Sequence, residues 1–123
     1  MAVFDYNEAV FGALAYIYGD DDSTISVKEK EGFRSRFEER HYLSSETMKA
    51  IYARWSQGPE DFYQDVIDSL NEYSLTERLE AYRTICIILN DFSSNRDDRW
   101  APAQRIREGM GISSEEYDRY TDN

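Results

Sequence analysis

The chain has 123 residues and a formal net charge of −11, from 25 acidic and 14 basic residues. This charge opposes non-specific nucleic-acid binding, which needs Lys and Arg to neutralise phosphates, and it disfavours anionic membranes. Aromatic residues make up 15% of the chain, far more than in a disordered segment, so a buried core is expected. We therefore predict a single domain over residues 1–123. It has no transmembrane segment, because no apolar run approaches the ~20 residues that a span needs.

The first half of the chain predicts four helices from caps and apolar periodicity. The first covers residues 5–18 and ends at an acidic run. The second begins at Ser26, since Ser26 and Glu29 form a capping box in which each side chain binds the other's free backbone N–H group. The third begins at Ser44–Ser45. The fourth begins with Pro59, because proline is favoured at the first position of a helix.

The second half predicts three more helices. A capping box over residues 74–77 starts the fifth helix. Its later part, residues 85–89, is apolar on nearly all sides, as in a helix at the centre of a bundle. A polar loop is predicted for residues 90–101, with Pro102 opening the sixth helix. A third capping box over residues 113–116 starts the seventh. No stretch alternates with period two, so we predict an all-α bundle without a sheet.

The order of these elements indicates an internal repeat. Residues 43–46 (Leu-Ser-Ser-Glu) are similar to residues 112–115 (Ile-Ser-Ser-Glu), and each string follows a helix that itself follows an Asp-rich loop. A strongly apolar helix precedes each of these loops. The shared order predicts a pseudo-two-fold internal repeat, and chance recurrence of a common cap string is the alternative.

The first acidic loop resembles the signature of the TerB-like (tellurite-resistance TerB) helical family. In that family an apolar helix is followed by Asp-Gly, an aliphatic residue and, shortly afterwards, Glu. Asp22, Ile25 and Glu29 fall on the Asp, aliphatic and Glu positions. Ser23 stands where the family has glycine, which marks the chain as a divergent member.

The second acidic loop resembles the same signature. Asp97, Trp100 and Gln104 occupy its three positions, Gln104 replacing the glutamate and Asp98 the glycine. Residues 110–116 are similar to the segment that closes the family's second unit. The resemblance implies an all-α bundle that acts as an intracellular, stress-associated module, often linked to metal-ion sensing.

The two acidic loops are the candidate cation site, because Ca²⁺ binds six to eight oxygens from carboxylates, carbonyls and water. A regular EF-hand loop starting at Asp20 would need glycine where Ile25 stands. A looser site shared by both loops is the alternative, and simple solvation of a turn is a third interpretation. The candidate ligands are Asp20, Asp22, Glu29, Glu31, Asp91, Asp97 and Asp98.

Catalysis has little support in the sequence, so we predict that the chain is not an enzyme. His41 is the sole histidine, and Cys86 lies inside an apolar run, where a buried thiol is a poor nucleophile. A lone cysteine without a signal peptide predicts a reducing, cytoplasmic location. Trp55 and Trp100 are read as core residues in preference to interface anchors.

The expected function is a TerB-like, stress-associated binding or adaptor module that binds a divalent cation or a protein partner through its acidic loops. One alternative is an acidic protein inhibitor or nucleic-acid mimic that acts on a basic target, which requires the negative charge to gather on one face. Another is an assembly role through exposed aromatic residues. The sequence leaves the oligomeric state open.

Overall fold

Six α-helices make up the part of the chain that the computed structural model describes, residues 3–19, 35, 43–92 and 97–122, and no strand occurs in these ranges. The all-α prediction is confirmed. Of the predicted helix that begins at Ser26, the structure describes Ser35 alone, which is helical, and the other residues lie outside these ranges. The helices are α1 (Tyr6–Gly19), α2 (Ser45–Gln57), α3 (Pro59–Leu70), α4 (Leu75–Phe92), α5 (Asp97–Gly109) and α6 (Ser114–Thr121).

The two similar Ser-Ser-Glu strings have the same local structure. Ser44 is the N-cap of α2, and its hydroxyl accepts a hydrogen bond from the Thr47 N–H at 3.1 Å. Ser113 is the N-cap of α6 and accepts from the Glu116 N–H at 3.1 Å, while the Glu116 carboxylate accepts from the Ser113 N–H. The apolar residue before each cap is buried. Capping therefore fixes the start of both helices.

The starts of α3 and α4 also agree with prediction. Pro59 is the first residue of α3, where its missing N–H would have had no acceptor inside the helix. The Ser74 hydroxyl accepts the Glu77 N–H at 3.2 Å, and the Glu77 carboxylate accepts from the Ser74 hydroxyl at 3.0 Å. This cap starts α4 at Leu75.

The loop predicted for residues 90–101 is wrong at both ends, and its residues 93–96 lie outside the described part of the chain. α4 continues to Phe92 and α5 begins at Asp97, so Pro102 lies one turn inside α5 and does not open it. A proline inside a helix removes one hydrogen bond and crowds the preceding turn. Burial of Ala103 and Ile106 in the core offsets this cost. A prediction that places helix starts from the residue types at their caps does not take such burial into account.

The central helix is α1, although the apolar run over residues 85–89 had favoured α4. Every residue from 9 to 17 is buried, and α1 packs against α2, α3, α4 and α5. In α4, by contrast, Ile87 is 42% exposed. Small residues let neighbouring helices approach α1, since a Cβ on Gly12 would lie 3.0 Å from Val66 Cγ2. A prediction of the central helix from its large apolar residues misses α1, because small residues contribute much of its buried surface.

Candidate functional site

The predicted cation ligands stay untested as a site. Asp91 is the penultimate residue of α4, and Asp97 and Asp98 begin α5, but their side chains are outside the described part of the structure. Among the described side chains, no three His, Cys, Asp or Glu residues come together in a way that could hold a metal ion. Four further predicted ligands lie outside the described residues: Asp20, Asp22, Glu29 and Glu31.

One of the two tryptophans can be assigned to packing. Trp55 in α2 is partly buried and packs against the core, and its buried indole N–H has no hydrogen-bond partner among the described residues. The packing of the ring against the core agrees with the core interpretation. The Trp100 side chain and His41 lie outside the described part of the chain.

A cavity of about 360 Å³ lies between α4, α5 and α6. Its size falls within the range of small-ligand sites in proteins, roughly 300–1,000 Å³. All three helices contribute polar groups to its walls, together with aromatic ring surface. The lining residues are Tyr82, Cys86, Asn90, Gln104, Arg107, Ser114, Tyr117 and Asp118.

Cys86 is a buried side chain in the wall of this cavity. Burial raises the pKa of its thiol, and interaction with the Tyr117 and Tyr82 side chains opposes the rise without reversing it. A thiol with a raised pKa is protonated at neutral pH and weakly nucleophilic. The burial of Cys86 predicted from the sequence is confirmed.

The two tyrosines form an aromatic wall with polar tips. The Tyr82 and Tyr117 rings meet edge to face, with centroids 4.8 Å apart. Burial raises the pKa of each hydroxyl, and contact with Cys86 raises it further. Both hydroxyls therefore stay neutral over the physiological range and can donate or accept a hydrogen bond.

Arg107 supplies the positive charge of the cavity. Only 15% of its side chain is exposed, and its Nη1 donates to the Ile112 carbonyl at 2.7 Å. Interaction with Arg107 lowers the pKa of the Tyr82 hydroxyl, against the larger effect of burial. The ion-pair partner of Arg107 in the described structure is Glu108, whose carboxylate lies 3.9 Å from Nη2 and is largely exposed. That separation exceeds a hydrogen bond, so this partly buried charge has no carboxylate within hydrogen-bond distance among the described residues.

The C-terminal helix α6 closes one side of the cavity. Gly111, at φ 72°, lets the chain turn back after α5, because this left-handed conformation disfavours residues with a Cβ. Ile112 is buried directly after the turn. α6 then packs on α4 through Tyr117, and the Tyr120 hydroxyl donates to the Glu80 carboxylate. No residue of α6 is itself fully buried, so this helix covers the cavity while remaining largely exposed on its other side.

A second arginine of α5, Arg105, makes a different set of contacts. Its guanidinium donates to both oxygens of the Glu60 carboxylate, at 3.1 and 2.8 Å, and to the Tyr16 hydroxyl. Its Cζ lies 4.0 Å from the centre of the Tyr63 ring, whose hydroxyl donates to the Arg105 carbonyl. Hydrogen bonding to Glu60 and Tyr16 raises the pKa of Arg105. These contacts join α1, α3 and α5.

A smaller cavity of about 190 Å³ lies between α2 and α3. Arg54 provides its cation, but Nη2 of Arg54 is 2.5 Å from the Asp65 carboxylate. Because the charge is already paired, this cavity is less suited to a charged ligand. Its lining residues are Arg54, Gln57, Gly58, Asp61, Phe62 and Asp65.

The residues of the larger cavity were not predicted as a set. The sequence indicated that Cys86 is buried, and the spacing of Tyr82 and Cys86 by four residues puts them on one face of a helix. Arg107 and Tyr117 gave no such signal, because each lies on another helix. Their approach to Cys86 depends on how three helices pack.

Comparison with family models, curated proteins and solved structures finds no match. The TerB-like resemblance therefore stays a hypothesis drawn from short motifs. Within the described ranges, no helix has the length and apolar character needed to cross a membrane.

Proposed function

We propose that this chain is a binding module rather than an enzyme, and that it binds a small organic ligand in the cavity between α4, α5 and α6. One observation carries the proposal: aromatic walls and convergent polar groups from three helices line the same cavity of about 360 Å³. Ligand sites in proteins combine concave, largely apolar walls with a few well-placed polar groups, as this cavity does.

The protonation states of the lining groups support binding over catalysis. General acid–base catalysis is most efficient when the pKa of the catalytic group lies near the operating pH. Burial instead raises the pKa of the Cys86 thiol and of the Tyr82 and Tyr117 hydroxyls, away from neutrality. These groups are better suited to holding a ligand by hydrogen bonds than to exchanging protons with it.

A fragment titration tests this proposal. We expect a library of small organic fragments to shift the amide NMR signals of Tyr82, Cys86 and Tyr117 as one group. Gln104→Trp fills the cavity from an exposed position on α5 and should remove these shifts. The matched control, Ala101→Trp, also adds an indole at an exposed position of α5, outside the lining residues, and should preserve them. Shifts that survive Gln104→Trp, or no shifts at all, would contradict the proposal.

Cation binding is a second candidate function, as the TerB-like resemblance implies. The helix bounds support it, since four residues separate the end of α4 from the start of α5, so Asp91 and Asp97 are close along the chain. We expect Ca²⁺ to raise the melting temperature, and Asp22→Asn with Asp97→Asn to abolish the rise. Asp68→Asn, at an exposed position of α3, is the control. No response to any divalent ion would remove this candidate.

The seventh helix and the pseudo-two-fold repeat are also part of the proposal. The matching backbone angles of the two N-caps support the repeat: φ −74° and ψ 155° at Ser44, φ −79° and ψ 158° at Ser113. The TerB-like, cytoplasmic and stress-associated role depends on this repeat. We expect helical Cα chemical shifts over residues 26–40, and extended or random-coil values there would contradict it.

A further inference from the structure

We infer that the ligand of the cavity between α4, α5 and α6 is a small monocarboxylate, bound through its anionic group by the Arg107 guanidinium. This inference rests on the proposed function of that cavity and adds the chemical class of the ligand. A planar guanidinium matches a carboxylate with two parallel hydrogen bonds, which a neutral ligand cannot reproduce.

The Arg107 guanidinium is poorly paired compared with those of Arg105 and Arg54. A charge removed from water is costly unless it is closely paired and hydrogen-bonded. The Arg107 side chain is 15% exposed, yet its partners among the described residues are the Ile112 carbonyl at 2.7 Å and the Glu108 carboxylate at 3.9 Å. Arg105 and Arg54 each have a carboxylate within 3 Å. A ligand carboxylate would give Arg107 the partner that the other two already have.

The rest of the cavity wall combines aromatic rings with one acidic side chain. The Tyr82 and Tyr117 rings offer apolar surface for the body of the ligand, and their hydroxyls stay neutral. Asp118 is exposed on α6 and also lines the cavity. Its charge, together with the net charge of −11, opposes a ligand that carries more than one negative charge. The wall therefore favours a single carboxylate over phosphate.

Titration of the full chain with three probes tests the inference at fixed ionic strength. Benzoate carries the carboxylate and a ring, benzamide is its neutral analogue, and inorganic phosphate is the multiply charged anion. We expect benzoate to bind at least about tenfold more tightly than benzamide, as charged hydrogen bonds imply. We expect phosphate to bind more weakly than benzoate.

Three variants separate the charge of Arg107 from its structural contacts. Arg107→Gln should bring benzoate down to the affinity of benzamide, while Arg107→Lys should keep part of the preference. Asp118→Asn removes a negative charge from the cavity wall and should raise the preference for benzoate over benzamide by about two- to fivefold. The Asp118→Asn variant gives a result even if Arg107→Gln fails to fold.

The outcomes distinguish the inference from the function on which it rests. If benzamide binds as tightly as benzoate, if phosphate binds more tightly, or if Asp118→Asn weakens benzoate, the carboxylate assignment is wrong. If other fragments occupy the cavity while benzoate does not, the inference fails and the binding function stands. If no fragment shifts the signals of Tyr82, Cys86 and Tyr117, both fail.

Discussion

Arg105 and Arg107 lie two residues apart on α5 and have opposite surroundings. With 3.6 residues per turn, residues two apart on a helix point about 200° away from each other. Arg105 therefore faces α1 and α3, where Glu60, Tyr16 and Tyr63 engage it. Arg107 faces the cavity between α4 and α6, where it donates a hydrogen bond to the Ile112 carbonyl.

Exposure alone would have assigned these two arginines the wrong way round. Arg105 is 44% exposed, as expected of an ordinary surface residue, yet its guanidinium is fully engaged by described groups. Arg107 is the more buried residue, yet no carboxylate lies within hydrogen-bond distance of its charge in the described part of the chain. A structural arginine is therefore better distinguished from a ligand-binding one by whether a carboxylate pairs with its guanidinium than by how deeply its side chain is buried.

The largest effect on stability is expected at Gly109, where α5 comes close to α3 on the side of α5 that carries Arg105. A Cβ on Gly109 would lie 2.6 Å from Tyr63 Oη and 2.8 Å from Ile67 Cδ1, so Gly109→Ala must displace the ends of both side chains or move α5 away from α3. We expect a loss of about 1–3 kcal/mol in the free energy of unfolding, measured with urea. Gly58→Ala is the control, because the nearest atom to its Cβ would be 3.8 Å away. Equal stability of the two variants would contradict the close packing.

The next effect compares the two arginines directly. Arg105→Gln removes a bidentate pair and a cation–ring contact, and we expect it to cost about 1–2 kcal/mol. Arg107→Gln removes a hydrogen bond to the Ile112 carbonyl together with a poorly paired charge, and we expect about 0.5–1 kcal/mol. Urea unfolding of both variants measures the order. A larger loss for Arg107→Gln would mean that Arg107 is the structural residue of the two.

The smallest expected effect is on how stability depends on pH, through the ion pair between Arg105 and Glu60. Hydrogen bonds from Arg105 lower the pKa of Glu60 below its ordinary value of 4.5. A lowered folded-state pKa contributes stability that is present above that ordinary value and is lost as pH falls through the folded-state pKa. The wild type should therefore have a higher free energy of unfolding than Glu60→Gln at neutral pH. The difference between the two should disappear in acid. In an Arg105→Gln background, Glu60→Gln should show no such dependence; if the same dependence persists, its source lies elsewhere.

Local signals in the sequence were enough to predict most helix starts. The caps at Ser44, Ser74 and Ser113 form as expected, because each is completed within three or four residues of chain. Pro102 shows where such rules stop, since burial of Ala103 and Ile106 lets α5 extend one turn before the proline.

The site was harder to predict than the helices. Its residues come from three helices, so no spacing along the chain links Arg107 to Tyr117. The acidic residues that stood out in the sequence did so by composition, which does not specify convergence in space. Arg107 was not predicted as a site residue, because a basic residue in the last turn of a helix is common and is stabilised by the helix dipole.

The most direct test of the different states of the two arginines is the NMR signal of their side-chain Nε–H groups during a benzoate titration. Arg107→Gln and Arg105→Gln provide the assignments. We expect the Arg107 signal to shift progressively and saturate with benzoate, while the Arg105 signal stays unchanged because Glu60 already occupies its guanidinium. Equal shifts of both signals, or a shift of Arg105 alone, would contradict the assignment of Arg107 as the ligand-binding residue.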